Sequence, residues 1–550
     1  MRSKPLSEIT ELLSNLASQD DFTSVVMNSA EASELYLKGT EGLERSIFGA
    51  IRIKRSEDIP LVFTAVNQLQ DSDRLTLYPI STGNNWGYGT SLPNQSNKAV
   101  ILDLSALTKI TVVNAELGHI AVEPGVTQGS LADFFADNDL PFMVPVTGAG
   151  PTVSILGNAL ERGYGITPHQ DHFGALNDLK AYLPNGEHYI SPLSELLAKA
   201  NADEFGVNTS YKWNVGPYLD GLFTQSGLGV VYEVTIRVKR TTESFDSFYI
   251  NYQDDDDIAH AYDFIRETLE RYDGIVGSIN LMDKRRLISM LSKNPNLHTS
   301  SLLSPKQISQ ISKKKRIPAW TVVGTIYGDT SIVKAVKKKV KLLAKLHATK
   351  VIFSNDLLVK TGKTVFNKLP KFVFPSVHKQ LDSLASGVEI MQGKPNTIAL
   401  TLAYWRNKVT RPENSESLDP ARDDCGLLWY APLIPMNKNK LIEYVAQVRD
   451  ICKRYGIDPM ITFTNLKHDL IDSTVPILFN KNDAKQTDLA QRCLAELVEK
   501  GLARGYVPYR LNIEQQQLLF TDTISAQRLM QGMYTHTDPN RILQPGRYGK

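Results

Sequence analysis

Apolar and polar positions alternate in two different ways along the chain. From residue 47 to residue 239, short strand-like runs are separated by glycine-bearing turns. The run 228–240 is typical, because Val234, Ile236 and Val238 alternate with polar residues, as the buried face of a strand does. This first stretch therefore predicts many short strands with a few helices between them.

The pattern changes near residue 241, where longer helical periodicities begin. The segment 252–272 opens with a run of aspartates and continues at helical spacing, and acids in a first turn suit the helix dipole. The segment 331–348 predicts a second helix, whose lysines form a solvated face. Strand-like runs alternate with these helices, so the chain as a whole is predicted to be α+β.

The two textures predict two domains. We expect a first domain over residues 1–240 and a second over residues 241–499. The tail 500–550 returns to the loop-rich, glycine-bearing style of the first domain, and we expect it to pack back on that domain. A length of 550 residues is enough for two large domains.

Composition excludes several classes of protein. Hydrophobic residues make up 42% and charged residues 22%, as in an ordinary globular protein, and the net charge of +2 gives no basic field for nucleic acid. Cys425, Cys452 and Cys493 have no metal or redox spacing, so we expect reduced, buried thiols. The chain has no apolar run of signal-peptide or transmembrane type, and we expect a cytoplasmic protein without a membrane partner.

Three glycine-bearing turns carry the first chemical signal. The stretch YPISTGNNWGYGTS (78–91) places small and amide residues in succession, a pattern that offers several N–H and hydroxyl donors to one anion. It matches neither the P-loop nor the nicotinamide-dinucleotide fingerprint, and alone it is equally well explained as a structural turn. Together with VEPGVTQGSL (122–131) and the glycine-dense segment 144–174, it favours a large, extended cofactor with a pyrophosphate.

An ordered set of motifs makes a family resemblance specific. STGNNWGYG, VEPGV, SILGNALERGYGITPHQDHF, PNGE, GPYLDGLFTQSGLGVV and DPNRILQPGRYG occur in this order, with MQGKPN, FTNLKHDL, ILFNK and GYVPYR before the last of them. The set resembles the vanillyl-alcohol oxidase / p-cresol methylhydroxylase (PCMH) family of FAD enzymes along nearly the whole chain. The resemblance implies a PCMH-type FAD-binding domain, and a cap domain built on a large antiparallel sheet flanked by helices.

The resemblance also implies where FAD would lie. Residues 81–87 would hold the pyrophosphate, the turns at 124–127 and 147–165 would line the ribityl chain and the ring, and Arg547 would place a positive charge near the flavin N1. The cofactor-binding residues expected on this basis are Ser81, Thr82, Gly83, Asn84, Asn85, Trp86, Gly87, Pro124, Gly125, Thr127, Thr147, Ser154, Gly157, Asn158, Gly165, Gly229, Val230 and Arg547.

Three further positions match the family's substrate anchor. Two tyrosines and an arginine hold a para-substituted phenol as its phenolate, and the matching residues are Tyr88, Tyr509 and Arg510. A permanent cation and two hydroxyl donors suit a phenolate oxygen. The function implied is the removal of hydride from a 4-alkylphenol or a 4-hydroxybenzyl alcohol. The alternatives are the oxidation of a non-phenolic alcohol or amine by the same flavoenzyme fold, and a non-enzymatic protein that kept the fold.

Several positions depart from the family pattern. Ala149 and Ala399 stand where acidic residues are expected, which removes the group that guides water onto a quinone methide. Pro151, Thr152 and Val153 replace a glycine cluster, and this bulk predicts a dehydrogenase or a slow oxidase. The product is therefore expected to shift from an alcohol towards a desaturated compound or a simple oxidised alcohol.

The residues that bind flavin covalently in the family are also replaced. The histidine position is Leu427, and the tyrosine position falls at Ala403 or, with a one-residue gap, at Tyr404. We therefore expect non-covalent FAD, with Tyr404 as the residue to test.

Partners and metals complete the expectations. His169 and His172 have a spacing that could bind a metal, but no further ligand pair lies near them in the sequence, and we expect no metal site. The expected partner is a small-molecule substrate, and the sequence leaves room for a homodimer or a higher homo-oligomer.

Overall fold

The computed structural model describes most of the chain. The described residues are 11, 14–19, 21–69, 75–94, 98–200, 206–299, 301–355, 385–407, 418–519, 524–544 and 546–548.

A four-stranded sheet forms the first layer, in the order β1-β2-β4-β3. Its strands are β1 (Val25–Met27), β2 (Gly49–Arg52), β3 (Thr76–Ile80) and β4 (Ala99–Asp103). β2, β4 and β3 are parallel, whereas β1 is antiparallel to β2. The C-terminal tail joins this sheet, because Leu543 forms a parallel bridge with Leu77 and both residues are fully buried.

A five-stranded antiparallel sheet follows, in the order β5-β6-β10-β8-β9. Its strands are β5 (Ile110–Asn114), β6 (His119–Val122), β8 (Leu176–Tyr182), β9 (His188–Ile190) and β10 (Val230–Arg237). β7 (Phe142–Met143) and β11 (Lys239–Arg240) form a separate two-stranded ribbon. The strand predicted within 228–240 is β10, and its apolar residues pack in the core of this sheet.

The third sheet has nine strands and is antiparallel throughout. Its strands are β12 (Ser244–Tyr252), β13 (Ile279–Asp283), β14 (Trp320–Gly328), β15 (Lys350–Ser354), β16 (Cys425–Tyr430), β17 (Pro432–Pro435), β18 (Thr462–Asn465), β19 (Leu470–Asn480) and β20 (Val507–Pro508). They run β15-β12-β14-β13-β18-β19-β17-β20, and β16 pairs with the other end of β19. The predicted α+β class and the large antiparallel sheet are confirmed.

Helices cover these sheets and connect their strands. The α-helices are Ser29–Tyr36, Asp58–Asn67, Gln128–Asp137, Ile155–Leu160, Pro192–Lys199, Ile258–Arg271, Lys284–Leu291, Pro305–Lys315, Thr330–Ala344, Lys438–Arg454, Ala484–Leu502 and Ile524–Thr537. Short 3-10 helices are Val207–Thr209, Asp220–Phe223, Asp255–Asp257, Ile398–Trp405 and Ile513–Leu519. Both predicted helices are present. The one expected within 252–272 is Ile258–Arg271, and the one expected within 331–348 is Thr330–Ala344. Within the described residues, no helix is long and apolar enough to cross a membrane.

The large sheet has two different faces. Four helices pack on one face, where Leu281, Phe463 and Ile471 belong to the largest apolar core of the molecule. Because strand residues alternate between faces, the neighbours of these residues point the other way. Strand register aligns Asn280, Thr464 and Asp472 across β13, β18 and β19 on that second face.

β16 connects the large sheet with the first domain-sized unit of the chain. The backbone N–H of Trp429 donates to Gly87 O at 3.1 Å, and its indole N–H donates to Trp86 O at 3.1 Å. The N–H of Leu427 donates to Thr40 O at 2.9 Å. These bonds hold the glycine-rich turn after β3 against the edge of the large sheet, and a cleft opens beside them.

Candidate active site

The cleft has an empty volume of about 1170 Å³, counting its open mouth. Most of the residues expected to bind cofactor or substrate line it. Those in its wall are Ser81, Thr82, Gly83, Asn84, Asn85, Trp86, Tyr88, Pro124, Ser154, Gly157, Asn158, Gly229, Val230, Arg510 and Arg547. Segments far apart in the sequence thus meet around one elongated space.

One end of the cleft has the properties of an anion nest. Among the described residues, the amide N–H groups of Thr82, Gly83 and Asn84 donate to no protein oxygen. Gly83 has a φ of +71°, which turns the chain so that successive amides face the same side. A Cβ on Gly157 would lie 2.4 Å from Ser81 Oγ, so a side chain there would displace the Ser81 hydroxyl from its place in the cleft wall. These residues fit a pyrophosphate.

Some expected residues lie outside the wall and support it from behind. The amide of Gly87 donates to Thr40 Oγ1 at 2.8 Å, and that of Gly125 donates to Leu107 O at 2.7 Å, so neither is free for a ligand. Thr127 caps the helix Gln128–Asp137. Structural hydrogen bonds therefore occupy these groups.

Thr147 and Gly165 also have structural partners. Thr147 Oγ1 accepts a hydrogen bond from Gln128 Nε2 at 2.9 Å. A Cβ on Gly165 would lie 2.4 Å from His172 Nε2, so glycine is needed for the close packing of the 164–172 loop. Asn158, which does line the cleft, bonds His172 Nδ1 at 2.6 Å and connects this loop with the wall.

At the other end of the cleft, Tyr88 and Arg510 line the wall, and Tyr509 lies next to Tyr88 without lining the cleft itself. The guanidinium carbon of Arg510 lies 4.4 Å from the ring centroid of Tyr88, and the hydroxyls of Tyr88 and Tyr509 are within hydrogen-bonding reach. Burial raises the pKa of Tyr88 to about 12, although Arg510 opposes the shift. Burial also raises the pKa of Tyr509 well above its usual value, so both phenol groups are protonated donors at neutral pH.

Glu161 joins this anchor to the C-terminal tail. Its carboxylate forms an ion pair with Arg547, and its Oε2 lies 3.7 Å from Arg510 Nε. Burial disfavours the charged carboxylate, but the guanidinium groups of Arg547 and Arg510 outweigh it and hold the pKa of Glu161 below its usual value. Arg547 Nη1 also donates to Tyr78 Oη at 3.2 Å.

Three charged side chains form one buried network at this end of the cleft. Arg510 and Arg547 supply two positive charges, and Glu161 supplies one negative charge. Arg510 Nε, Arg547 Nε and Glu161 Oε2 are buried and have no hydrogen-bond partner. Two buried guanidinium groups with unused donors suit an anionic ligand.

The wall between these two ends is apolar. Ala149 and Val153 pack in one cluster with Trp86 and Leu400, and a Cβ on Gly148 would lie 3.1 Å from Ala399 Cβ. Ala149 and Ala399, the positions where acids were expected, therefore flank the same turn. Among the described residues that line the cleft here, none offers a carboxylate to a water molecule.

The positions linked with covalent flavin attachment are also defined. Leu427 is buried in this apolar cluster, 3.1 Å from where a Cβ on Gly87 would lie. Tyr404 packs against the cluster, and its hydroxyl donates to the Asp423 carboxylate. Leu427 has no nucleophilic atom that could bond covalently to flavin. The Tyr404 hydroxyl already donates a hydrogen bond to Asp423.

The two histidines considered for a metal lie in the supporting loop. Burial lowers the pKa of His169 to about 4 and that of His172 to about 3, so both are neutral at physiological pH. Within the described ranges, no three His, Cys, Asp or Glu side chains are grouped as a metal site would require. All three cysteines are free and buried.

Comparison with known proteins identifies the class. Residues 62–190 match the FAD binding domain family. The chain is 26% identical over 512 residues to 1'-carboxy-chondrochloren decarboxylase of Chondromyces crocatus, covering 92% of this chain and 89% of the relative. It is 26% identical over 502 residues to the flavoprotein subunit of the hydroxylating 4-cresol dehydrogenase of Pseudomonas putida, covering 88% and 86%.

The fold gives the same answer. A crystal structure of p-cresol methylhydroxylase with substrate bound superposes with a TM-score of 0.82 at 22% identity, over 99% of this chain and 97% of the other. The fold and the site together define an FAD-dependent oxidoreductase. The matched domain and the relatives are those of FAD flavoproteins, and the chain has the fold of p-cresol methylhydroxylase, as its motifs predict.

Sequence reasoning missed four residues of this site. Glu161 stands within the LGNALERG motif, and an acidic residue inside a glycine-rich cofactor motif was the signal that could have found it. Trp429 lines the cleft from β16. Tyr164, whose ring centroid lies 4.8 Å from that of Tyr509, and Asp472 on β19 had no local signal of function.

Proposed function

We propose that this protein removes hydride from the para benzylic carbon of a 4-alkylphenol or 4-hydroxybenzyl alcohol that is bound as its phenolate. The observation that carries the proposal is the meeting of Tyr88, Tyr509 and Arg510 beside the buried ion pair of Glu161 with Arg547. The relatives that act on 4-cresol and on a carboxylated compound are compatible with such a substrate.

The protein's own residues have separable roles in this reaction. Arg510 and the two tyrosine hydroxyls bind the phenolate oxygen and hold the ring in one orientation. The amides of 82–84 and the cradle at Gly157 would hold the cofactor's pyrophosphate. Bound FAD supplies the hydride acceptor, and the apolar wall of Ala149, Val153 and Ala399 keeps water from the benzylic carbon.

We further propose that the cofactor is bound without a covalent link, because Leu427 cannot form one and the Tyr404 hydroxyl is committed to Asp423. We also propose the expected domain boundary near residue 240. The first two large sheets end at Arg237, the ribbon ends at Arg240, and the nine-stranded sheet begins at Ser244. The tail contributes to both units, through Leu543 in one and β20 in the other.

A second candidate function differs in the fate of the oxidised substrate. Loss of hydride from the benzylic carbon gives a quinone methide, which water normally attacks. Here Ala149 lines the wall and Ala399 packs against the same turn, so neither expected acid position supplies a carboxylate, which favours a decay of the quinone methide that needs no activated water. If the carbon next to the benzylic carbon carries a carboxylate, the bond between that carbon and the carboxylate carbon can break. Carbon dioxide then leaves, and the electron pair forms the alkene and restores the phenolate.

One experiment tests both functions. The purified holoenzyme is mixed without oxygen with 4-ethylphenol, 3-(4-hydroxyphenyl)propionate, or the matched O-methyl ether of each, and flavin absorbance and products are recorded. Bleaching with the phenols and none with the ethers is expected. An alcohol product means hydroxylation, 4-vinylphenol from 4-ethylphenol means desaturation, and 4-vinylphenol with carbon dioxide from the propionate means oxidative decarboxylation. Equal bleaching with the ethers would refute the phenolate anchor and favour a non-phenolic substrate.

A further inference from the structure

Asp472 is a buried carboxylate without a countercharge. It lies on β19 opposite Thr464 of β18 and Leu433 of β17, and it is 5% exposed. Ile471 faces the helices, so Asp472 faces the cleft side of the sheet. Its Oδ1 accepts no hydrogen bond, and among the described residues no Lys, Arg or His forms an ion pair with it.

Tyrosines surround this carboxylate. Tyr88, Tyr509 and Tyr164 lie close enough to Asp472 that its charge adds to the rise in the pKa of each. The charge of Asp472 also adds to the rise in the pKa of Tyr444, which lies on the helix Lys438–Arg454 behind the sheet. The Tyr444 hydroxyl forms a hydrogen bond with Ser473 Oγ at 2.9 Å. The nearest cation of the anchor, Arg510, contacts the Tyr88 ring rather than Asp472.

An unpaired buried carboxylate costs free energy of folding. Such groups occur mainly at functional sites, so the position of Asp472 beside a substrate anchor indicates a role in the reaction. The anchor itself lacks one component. Arg510 is always protonated and cannot accept a proton, while the tyrosines are already protonated donors. A phenol that becomes a phenolate in this pocket must therefore pass its proton to another group.

We propose that Asp472 accepts the proton that a phenolic substrate loses on binding beside Tyr88 and Tyr509. This inference rests on the proposed function. The substrate O–H bond breaks, its electron pair stays on the phenolate oxygen, and the proton ends on the Asp472 carboxylate. No electrons are transferred, and the buried charge is conserved, because one anion replaces another.

The direction of the pKa shift suits this role. Burial raises the pKa of Asp472 well above its usual value. The carboxylate is therefore a stronger base, and its pKa lies closer to that of a phenol. The carboxylate exists only above that pKa. Phenolate formation and flavin reduction should therefore decline as the pH falls through the pKa of Asp472.

Proton counting tests the proposal directly. The holoenzyme is titrated calorimetrically at pH 8 with 4-chlorophenol, which has no benzylic hydrogen, in buffers of different ionisation enthalpy, while phenolate absorbance is followed. The wild type should form phenolate with nearly no proton released. In Asp472→Asn, each phenolate formed should release one proton, or the phenol should bind without phenolate absorbance.

Controls separate this role from a structural one. Asp469→Asn removes an exposed carboxylate from the residue before β19 and should behave as the wild type. FAD content and the thermal midpoint report whether Asp472→Asn is folded. The rate of flavin reduction by 4-ethylphenol should lose its acid limb in Asp472→Asn and keep it in Asp469→Asn, an effect that lost packing would not produce.

The outcomes distinguish the two proposals. If the wild type binds phenolate but releases one proton, or if Asp472→Asn forms phenolate without releasing a proton, the role of Asp472 is refuted and the phenol anchor stands. If no phenol gives phenolate absorbance or bleaches the wild-type flavin, the proposed function fails and the role of Asp472 fails with it.

Discussion

Replacement of Arg510 by alanine is the most informative single change at the phenol anchor. A phenol has a solution pKa of about 10, so binding it as phenolate at pH 7 requires a shift of about three units, or about 4 kcal/mol. Two opposite charges about 4 Å apart at an effective dielectric constant of about 20 interact by about 4 kcal/mol. The charge of Arg510 is therefore of the required size.

The neighbouring charges decide whether that attraction is available. Glu161 Oε2 lies 3.7 Å from Arg510 Nε and would cancel much of it, but Glu161 also pairs with Arg547. Without Arg510, Arg547 remains paired with Glu161, and the anchor has no cation of its own to offer a phenolate. Arg510→Ala should therefore raise the pKa of a bound phenol by about three units, close to its value in water.

The assay is an absorbance titration of bound 4-chlorophenol between pH 6 and pH 11, with FAD still bound. Arg510→Lys should retain part of the shift, since it keeps the charge but loses the planar fork. Arg504→Ala removes an arginine from the same segment, with a side chain 46% exposed, and serves as the matched control. If Arg510→Ala binds phenolate with an unchanged pKa, the charge argument is wrong and a non-phenolic substrate becomes the better reading.

Three further outcomes follow from the structure. Denaturation in acid should release all FAD into the supernatant, whereas flavin fluorescence on the polypeptide would point to Tyr404. Gly157→Ala should weaken FAD binding at least tenfold in an equilibrium titration, because its Cβ would lie 2.4 Å from Ser81 Oγ. The control Gly186→Ala meets no atom within 4 Å, and because its φ is positive it should affect stability alone. Glu161→Gln should lower thermal stability at pH 7 by about 3 kcal/mol, since it leaves two buried guanidinium groups unpaired. The pKa of Glu161 is depressed in the folded protein, so this loss should be complete above about pH 4.3 and vanish as the pH falls below the folded value; an equal loss at pH 3 would contradict the ion-pair account.

The local pattern of apolar residues was sufficient to predict several individual strands and helices of the fold. The alternation around Val234 predicted β10, and helical spacing predicted the helices at Ile258–Arg271 and Thr330–Ala344. Such periodicities are visible because burial on one face repeats every two residues in a strand and every 3.6 in a helix. Periodicity does not state which strands pair, so the order of the nine-stranded sheet and the joining of β16 to β19 came only from the tertiary structure.

The cofactor turns were also readable from the sequence, since glycine and small polar residues leave a direct trace where a backbone must bend around an anion. Even there, the structure divided the expected residues by their hydrogen bonds. The amides of Thr82 and Asn84 are open to the cleft, whereas those of Gly87 and Gly125 already have protein acceptors. A sequence contains the donors but not their partners.

Charge in the site was decided by tertiary structure alone. The sequence by itself determined that an arginine, two tyrosines and several glycines were available in an order typical of FAD flavoproteins. Only the folded chain brought Glu161 between Arg510 and Arg547, and left Asp472 beside three tyrosines without a cation. Electrostatic energy depends on distance through space and on the water that burial removes, and neither quantity is contained in the spacing of residues along the chain.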